Sequence, residues 1–322
     1  MSLERRSLLA AALLAAPAVA RAQGAYPGRP IRIVVPFAAG GIIDVVARIV
    51  AEPLSRRLGQ PIVIENTPGA GSTIGARNVM RAPADGYTLL LNGAAHSVIP
   101  ALFPDAGVDP ATDFAPIALL GEQPFIAAVH PGVPATDVPS LLAWLRSRNG
   151  EATFATTGIG AASHLAGELL KKLAGVDFTV VQYRGTPAAV TDFVAGRVDF
   201  MIDSQTLLAP MMQDGRAKGI AVTTARRSRL VPTLPTFQEG GVAGYETSSW
   251  QALYAPAATP APIVQLLSAA TLEVLADPAL QQRYAERGVE PRTGDAAALR
   301  NFLQAELQKW LPILRATGAR AG

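Results

Sequence analysis

The sequence has no cysteine among its 322 residues, and charged (16%) and aromatic (6%) side chains are scarce. Without cysteine the chain cannot form a disulfide, a thiolate nucleophile, a cysteine-ligated zinc site or an iron–sulfur cluster. Its three histidines are scattered and form no metal-binding motif, so we expect no metal site and no cofactor. Apolar residues make up 49% of the chain, which excludes an intrinsically disordered or collagen-like protein.

The excess of positive charge lies mainly at the N-terminus. The formal net charge is +3, but residues 1–22 hold three arginines and one glutamate, and without them it is +1. The rest of the chain has no basic block and no basic residues interleaved with aromatic ones. We therefore expect no nucleic-acid partner.

Residues 1–22 have the organisation of a secretory signal peptide. A basic start with Arg5-Arg6 precedes an apolar run over Leu8–Ala20 and an A-x-A cleavage site at Ala20-Arg21-Ala22. The run is shorter than the about 20 residues that span a membrane. A buried amphipathic helix is the alternative, but the run is apolar on all faces. We predict export to a bacterial periplasm, by the general secretory or the twin-arginine route.

Strand and helix patterns alternate along the rest of the chain, which predicts an α/β fold with mostly parallel, doubly wound sheets. The first strands are predicted over 30–37, 60–66 and 87–92, and a second series of strand–helix units spans 138–224. The last part is predicted to be helical, ending in a helix over 296–314.

Two chain crossings, near 120–126 and 235–250, divide this pattern into two domains. We predict a signal peptide over 1–22, a first domain over 23–122, a second domain over 123–235, and C-terminal helices within 236–322 that complete the first domain. Ligands of open α/β sheets bind at the carboxyl ends of the strands, so a cleft is expected where the two sets of ends face each other.

The first loop after a strand, residues 36–41, is rich in glycine and alanine and precedes a predicted helix. Helix N-termini offer unpaired N–H groups and a positive dipole end, which suit an anion. A purely structural turn is an equal alternative, and the loop does not fit the phosphate-binding G-x-x-x-x-G-K-[ST] pattern. Asp44 stabilises the helix dipole in one interpretation and shapes the pocket in another. The next loop, 66–72, resembles a dinucleotide loop only loosely, and we interpret it as a turn with a helix cap at Ser72.

Later loops supply further candidate contacts. Asn92 and His96 follow the third strand, and Thr157, Ser163 and His164 lie in a glycine-containing loop whose N–H groups can surround a carboxylate. For each histidine a purely structural role is an equal alternative.

Two charged side chains follow the next strands. Arg184 suits a carboxylate because its planar guanidinium matches that geometry, or it is simply exposed. Asp203 can accept a hydrogen bond from a ligand amine, hydroxyl or bridging water, or cap the next helix.

No catalytic constellation is present. The sequence lacks H-E-x-x-H and G-x-S-x-G motifs, and Ser163 beside His164 is not a triad, because adjacent helical residues point to different faces. An exported hydrolase using these two residues is therefore disfavoured.

These motifs, in this order, resemble the Bug family of tripartite tricarboxylate transporter substrate-binding receptors. The resemblance covers essentially the whole chain after the signal. It rests on Arg29–Gly41 with Asp44 and Ala47-Arg48, Leu58–Pro61, Glu65–Gly71, Ala84–Leu90, Asp113–Ile117, Gly158–Gly160 with His164–Ala166, Tyr183–Gly185, Pro235–Gly240, Trp250–Pro256 and Gly288–Pro291.

The resemblance implies a type II periplasmic-binding-protein fold, in which two βα domains joined by two crossover strands close on a small carboxylate. It implies a monomer without enzymatic activity that delivers solute to two membrane subunits. The residues that it places around the carboxylate are Phe37, Ala38, Ala39, Gly40, Thr157, Gly158, Ser163 and His164, with Tyr183, Arg184 and Asp203 on the far side. A ligand-dependent sensor partnered with a histidine kinase is the alternative function.

The sequence departs from the family pattern in three places. Ile42-Ile43 replaces a small or polar pair, Thr67 stands in place of an arginine, and Val181-Gln182 replaces a His-Val-Pro segment. The apolar pair favours an aromatic or longer aliphatic acid over citrate.

Overall fold

The computed structural model describes residues 26–183 and 185–317. The predicted signal peptide and Arg184 lie outside the described residues. The described chain forms two five-stranded sheets with helices packed against them. This arrangement confirms the predicted α/β class.

The first sheet has the strand order β2-β1-β3-β10-β4. Its strands are β1 (Ile31–Val35), β2 (Ile62–Asn66), β3 (Thr88–Gly93), β4 (Phe114–Gln123) and β10 (Ser249–Pro256). Strand β1 pairs in parallel with β2 and β3, whereas β10 is antiparallel to both β3 and β4.

The second sheet repeats this plan with the order β7-β6-β8-β5-β9. Its strands are β5 (Phe125–Val129), β6 (Gly150–Thr156), β7 (Phe178–Gln182), β8 (Phe200–Ser204) and β9 (Lys218–Val222). Strand β6 is parallel to β7 and β8, and β5 is antiparallel to β8 and β9. Both sheets are thus mixed rather than mostly parallel, because the strand that enters each sheet from the other runs against its neighbours.

Ten helices complete the described part of the chain. They are α1 (Ile42–Leu58), α2 (Thr73–Met80), α3 (Ala94–Leu102), α4 (Val138–Ser147), α5 (Ala162–Ala174), α6 (Thr186–Val194), α7 (Gln205–Gln213), α8 (Ala261–Leu275), α9 (Pro278–Ala285) and α10 (Ala296–Thr317). No single one of the described helices is long and apolar enough to cross a membrane, although the bent pair α8–α9 passes that test by length and composition when taken together.

The chain crosses between the sheets twice, and we call each sheet with its helices a lobe. The first crossing is at Pro124, between β4 and β5, and the second lies between β9 and β10. The Thr223 N–H donates to the Phe125 carbonyl (3.0 Å), and the Phe125 N–H donates to the Thr223 hydroxyl (3.1 Å), which joins the two crossings. The Tyr245 hydroxyl donates to the Ala166 carbonyl of α5 (2.9 Å). Residues 236–247, assigned from sequence to the first domain, therefore pack against the second lobe.

The apolar core has three parts. One lies in the first lobe around β1 and α1, and another in the second lobe around α6 and β9. The third runs from the first lobe into the second and includes residues of α3, α5 and α10. In the first lobe, the indole N–H groups of Trp250 and Trp310 both donate to the buried Glu306 carboxylate (3.0 and 2.9 Å).

Candidate functional site

A cavity of about 520 Å³ lies between the lobes, where both sheets present carboxyl ends of strands. The first lobe and the segment after α9 contribute Phe37, Gly40, Gly41, Ile42, Ile43, Val45, Gly93, Ala94, Ala95, Gln123, Ser249, Glu286 and Arg287. The second lobe contributes Phe125, Thr157, Gly160, Ala161, Ala162, Ser163, Thr186, Asp203, Ser204 and Thr206.

Five helices begin at the wall of this cavity: α1, α3, α5, α6 and α7. None of the five has a side-chain hydrogen bond from its N-cap residue. Away from the cavity, α4 and α9 are capped by the side chains of Asp137 and Asp277, whereas α2 and α8 also lack a side-chain cap. First-turn N–H groups lack partners within their own helix. At the cavity these groups are therefore available to ligand oxygens.

Charged side chains are few at the cavity. Among the described lining residues, only Asp203, Glu286 and Arg287 carry charge. Attraction for an anion must therefore come largely from the N–H groups and positive ends of the helices.

The loop before α1 is held by Asp44, which is buried behind it. One Asp44 oxygen accepts from the Gly40 N–H and from Arg48 Nε (2.9 Å each), and the other accepts from Asn66 Nδ2 (2.9 Å). Burial acts to raise the pKa of Asp44, but hydrogen bonds from Arg48, Gly40 and Asn66 outweigh it and lower the pKa. Asn66 Nδ2 also donates to the Phe37 carbonyl (3.1 Å). Asp44 thus shapes the loop rather than lining the cavity, and it occupies the N–H of Gly40.

Other predicted contacts of this loop are placed differently. Phe37 and Gly40 line the cavity, whereas Ala38 and Ala39 are exposed on the loop and lie outside the lining.

In the second lobe, Ser163 organises the loop before α5. Its Oγ lies 3.1 Å from the Thr156 hydroxyl and 3.0 Å from the Thr157 hydroxyl, and it accepts the Thr157 N–H at 3.2 Å. Thr157, Gly160 and Ser163 line the cavity, whereas Gly158 does not.

His164 is buried and supports the same loop from within. Its Nδ1 accepts the Gly160 N–H (3.3 Å), and its Nε2 lies 3.8 Å from the Glu168 carboxylate. Burial, helped by Lys171, lowers the pKa of His164 to about 4, so the ring is neutral at pH 7. It is not among the lining residues.

Asn92 and His96, predicted as ligand contacts, lie in the core and outside the lining. Asn92 Nδ2 lies 3.3 Å from both the Ser72 hydroxyl and His96 Nδ1. The His96 ring packs on Phe114 and Tyr254, with ring centroids 4.9 and 4.8 Å away, and burial lowers its pKa to about 3. These side chains bind one another because strand β3 continues directly into α3 and turns them inward.

Ser72 occupies the predicted N-cap position of α2, but not with the expected side-chain bond. Ser72 has a left-handed backbone (φ 78°) and makes no side-chain cap bond to α2, because its hydroxyl accepts from Asn92 instead.

Tyr183, expected on the far side of the ligand, is turned toward α6. Its hydroxyl donates to the Asp192 carboxylate (2.7 Å), which also pairs with Arg197 (2.8 Å), and Tyr183 lies outside the lining. Asp203 does line the cavity, with 9% of its surface exposed. It accepts the Ser204 N–H (2.6 Å), and burial raises its pKa to about 6.

The sequence matches the family described as "Tripartite tricarboxylate transporter family receptor" over residues 46–319. The chain belongs to this family. Sequence relatives include a protein encoded in the TAR-I ttuE–ttuC′ intergenic region of Agrobacterium vitis, 38% identical over 314 residues (97% of this chain and 90% of the relative). BugT of Bordetella pertussis is 33% identical over 314 residues (97% and 95%). The predicted membership of the Bug family is thereby confirmed.

Solved structures of receptors agree with this assignment. The periplasmic binding protein BugD is 36% identical with a TM-score of 0.77, and it covers 92% of this chain and 100% of its own. The protein Rpa4515 of R. palustris, solved with adipate, is 34% identical with a TM-score of 0.80 (92% and 100%). MatC of Rhodopseudomonas palustris, solved with malate, is 34% identical with a TM-score of 0.77 (90% and 100%).

This receptor is a solute-binding protein and not an enzyme, as its family and structural neighbours are. The geometry of Ser163 and His164 agrees, since the two histidine nitrogens are directed to Gly160 and Glu168 rather than to the serine hydroxyl.

Several lining residues of the receptor were missed from sequence. Gln123 and Phe125 flank the crossing, and their position there was the signal that could have identified them. Glu286 and Arg287 follow α9, far along the chain from every other lining residue. No local pattern marks them.

Proposed function

We propose that this receptor captures a small carboxylate between its lobes in the periplasm and delivers it, as a monomer, to the membrane subunits of a tripartite tricarboxylate-type transporter. The observation that carries this proposal is the set of helix N-termini without side-chain caps around the cavity. Their N–H groups supply the donors that a carboxylate needs, and the solved relatives with adipate and malate bind such ligands.

The wall of the cavity supports a ligand with an apolar body. Phe37, Ile42, Ile43 and Phe125 line it and offer no hydrogen-bonding side chain. Citrate carries three carboxylates and a hydroxyl on a short skeleton, and it would leave some of these groups without partners against this wall. An aromatic or longer aliphatic acid fits better.

Thermal-shift screening followed by isothermal titration of residues 23–322 tests the carboxylate. The acids are citrate, adipate, terephthalate, nicotinate, glutamate and aspartate, with adipamide as the uncharged control. We expect at least one acid to raise the Tm, because a ligand of the native state stabilises it, and adipamide to have no effect. If no acid raises the Tm, the proposal fails; if citrate binds most tightly, the apolar-wall argument fails.

Arg184 keeps its predicted role as a partner of the carboxylate. Arg184→Ala should weaken binding by about 2–5 kcal/mol if the guanidinium is buried against the ligand. An unchanged Kd would make it a surface residue.

Delivery requires a cellular experiment. Deletion of the receptor gene should abolish uptake of the labelled ligand, and the gene restored in trans should recover it. Normal uptake with loss of a ligand-dependent kinase response would favour the sensor alternative.

A further inference from the structure

Asp203 places a buried carboxylate in a cavity that otherwise presents N–H donors. It stands at the end of β8, with 9% of its surface exposed, and lines the cavity. Burial raises its pKa to about 6, while the hydrogen bond from the Ser204 N–H (2.6 Å) and the side chains of Ser204 and Thr186 act to lower it and favour the ionised form. At pH 7.5 the group is therefore mostly ionised. A carboxylate offers about four acceptor positions, so these donors do not exhaust it.

The partners of Asp203 divide the cavity into two electrostatic regions. Thr186 is the first residue of α6, and Ser204 is the N-cap residue of α7, so the negative charge lies at the positive ends of these two helices. It offsets their attraction for an anion. Helices α3 and α5 have no acidic residue in their first turns, and their N-termini remain the anion-binding region, whereas the first turn of α1 holds Asp44 behind the loop.

The lining also includes apolar side chains. Phe37 and Ile42 come from the first lobe and Phe125 from the second. A ligand in the cavity therefore meets donors, apolar surface and one buried acceptor.

We propose that Asp203 accepts a hydrogen bond from a hydroxyl or amine that the ligand carries away from its carboxylate, so that the receptor selects donor-bearing carboxylates with an apolar middle. This inference rests on the proposed carboxylate-binding function. A ligand without the donor removes water from Asp203 and leaves an acceptor unpaired. Sites built to hydrogen-bond a polar group reject analogues that lack it.

Matched pairs of acids test the selectivity. The probes are 4-hydroxybenzoate against benzoate and 6-aminohexanoate against hexanoate, titrated calorimetrically into residues 23–322 at pH 7.5. We expect the donor-bearing member of at least one pair to bind about tenfold or more tightly than its partner. The pair with the larger ratio of affinities shows whether Asp203 prefers a hydroxyl or an amine donor.

Asp203→Asn should reduce that ratio to below about threefold while the unsubstituted acid binds as before. The neutral amide keeps the shape and an oxygen for the Ser204 N–H, but it is a weaker acceptor. Asp214→Asn is the matched control, because Asp214 is an exposed acid at the other end of α7, lies outside the cavity lining and should leave the ratio unchanged. Equal Tm values would show that the variants are folded.

The outcomes separate the two proposals. If carboxylates bind but no donor-bearing acid is preferred, or if Asp203→Asn weakens both members of a pair equally, the inference is overturned and the carboxylate receptor stands. In the second case Asp203 only supports the start of α7. If neither these acids nor the wider set binds, the carboxylate function itself fails, and the inference fails with it.

Discussion

At the residue scale, the binding loops are held by buried polar side chains that do not themselves line the cavity. Asp44 fixes the loop before α1, and His164 fixes the loop before α5. Each accepts a backbone N–H of the loop from behind. The shape of the cavity therefore depends on groups that a ligand never touches.

Asp44→Asn should weaken carboxylate binding about tenfold and lower the free energy of unfolding by about 1–3 kcal/mol, because an amide cannot accept from Gly40, Arg48 and Asn66 together. Calorimetric titration and urea unfolding measure the two effects. Glu52→Gln on the same helix is the control, since that exposed ion pair contributes little. Wild-type binding in Asp44→Asn would show that the loop keeps its shape without the charge.

The buried histidines predict acid sensitivity. The folded pKa values of His96 (about 3) and His164 (about 4) lie below the ordinary 6.5, so their contribution to stability is complete above pH 6.5 and is lost as pH falls toward 4. At pH 5 each of these two histidines lowers the free energy of unfolding by about 2 kcal/mol. Asp203, with its pKa raised to about 6, acts in the opposite direction: it raises the free energy of unfolding by about 1.4 kcal/mol at pH 5.

The free energy of unfolding should therefore fall by about 2–3 kcal/mol between pH 7 and pH 5, as urea titrations at the two pH values would measure. His96→Phe should remove roughly half of the histidine contribution, since the new ring cannot be protonated. Equal pH dependence in variant and wild type would rule out His96 as a source.

Sequence reasoning could not separate ligand contacts from supporting residues. Asn92, His96 and Ser163 all lie at or after the carboxyl end of a strand and all carry polar groups, but only Ser163 lines the cavity. The difference is the direction of the side chain, which depends on how each helix starts. From sequence, Asp44 was interpreted either as stabilising the helix dipole or as shaping the pocket. Its bonds to Gly40 and Asn66 support the second role.

At the element scale, a helix with one apolar and one polar face, such as α10, could be predicted from the sequence. The mostly buried helix α3 could not. The spacing of Leu299, Leu303 and Trp310 predicted α10, and all three are buried. Helix α3 was read as a loop because six of its nine residues are buried, which leaves little amphipathic pattern.

Helix α10 is anchored to the first sheet through Glu306. Glu306→Gln should lower the free energy of unfolding by about 2–3 kcal/mol, because a single amide oxygen must replace a charged acceptor for both Trp250 and Trp310. Urea unfolding measures the loss. Glu273→Gln, which breaks an exposed pair with Arg57, should cost less than about 1 kcal/mol. Equal losses of stability in the two variants would show that the bonds from the indoles to Glu306 contribute no more than an exposed ion pair.

At the scale of the whole molecule, the lobes are connected beside the cavity by Gln205. Its Nε2 donates to the Gly288 carbonyl of the first lobe (3.0 Å), and its Oε1 accepts from the Ser228 hydroxyl. Ser228 also lies 3.1 Å from the Glu290 carboxylate. These contacts join segments that are remote in sequence, which is why no sequence pattern predicted them.

Gln205→Ala should raise the Kd for the carboxylate by about threefold to tenfold, because the arrangement of lobes that encloses the ligand loses its bridging hydrogen bonds. Calorimetric titration measures the affinity, and small-angle scattering with saturating ligand measures the closure. Gln213→Ala, an exposed position at the end of the same helix, should match wild type. Unchanged affinity in Gln205→Ala would assign these bonds a purely structural role.

The position of β10 between β3 and β4 also sets an order of assembly. Strand β4 finds its neighbour only when residues 249–256 are available, whereas all strands of the second sheet are complete by residue 222. In a chain that emerges from its N-terminus, β1, β2 and β3 can pair with one another early, but β4 and one edge of β3 stay unpaired until most of the length has appeared. The lobe that begins the chain is therefore the last to be finished.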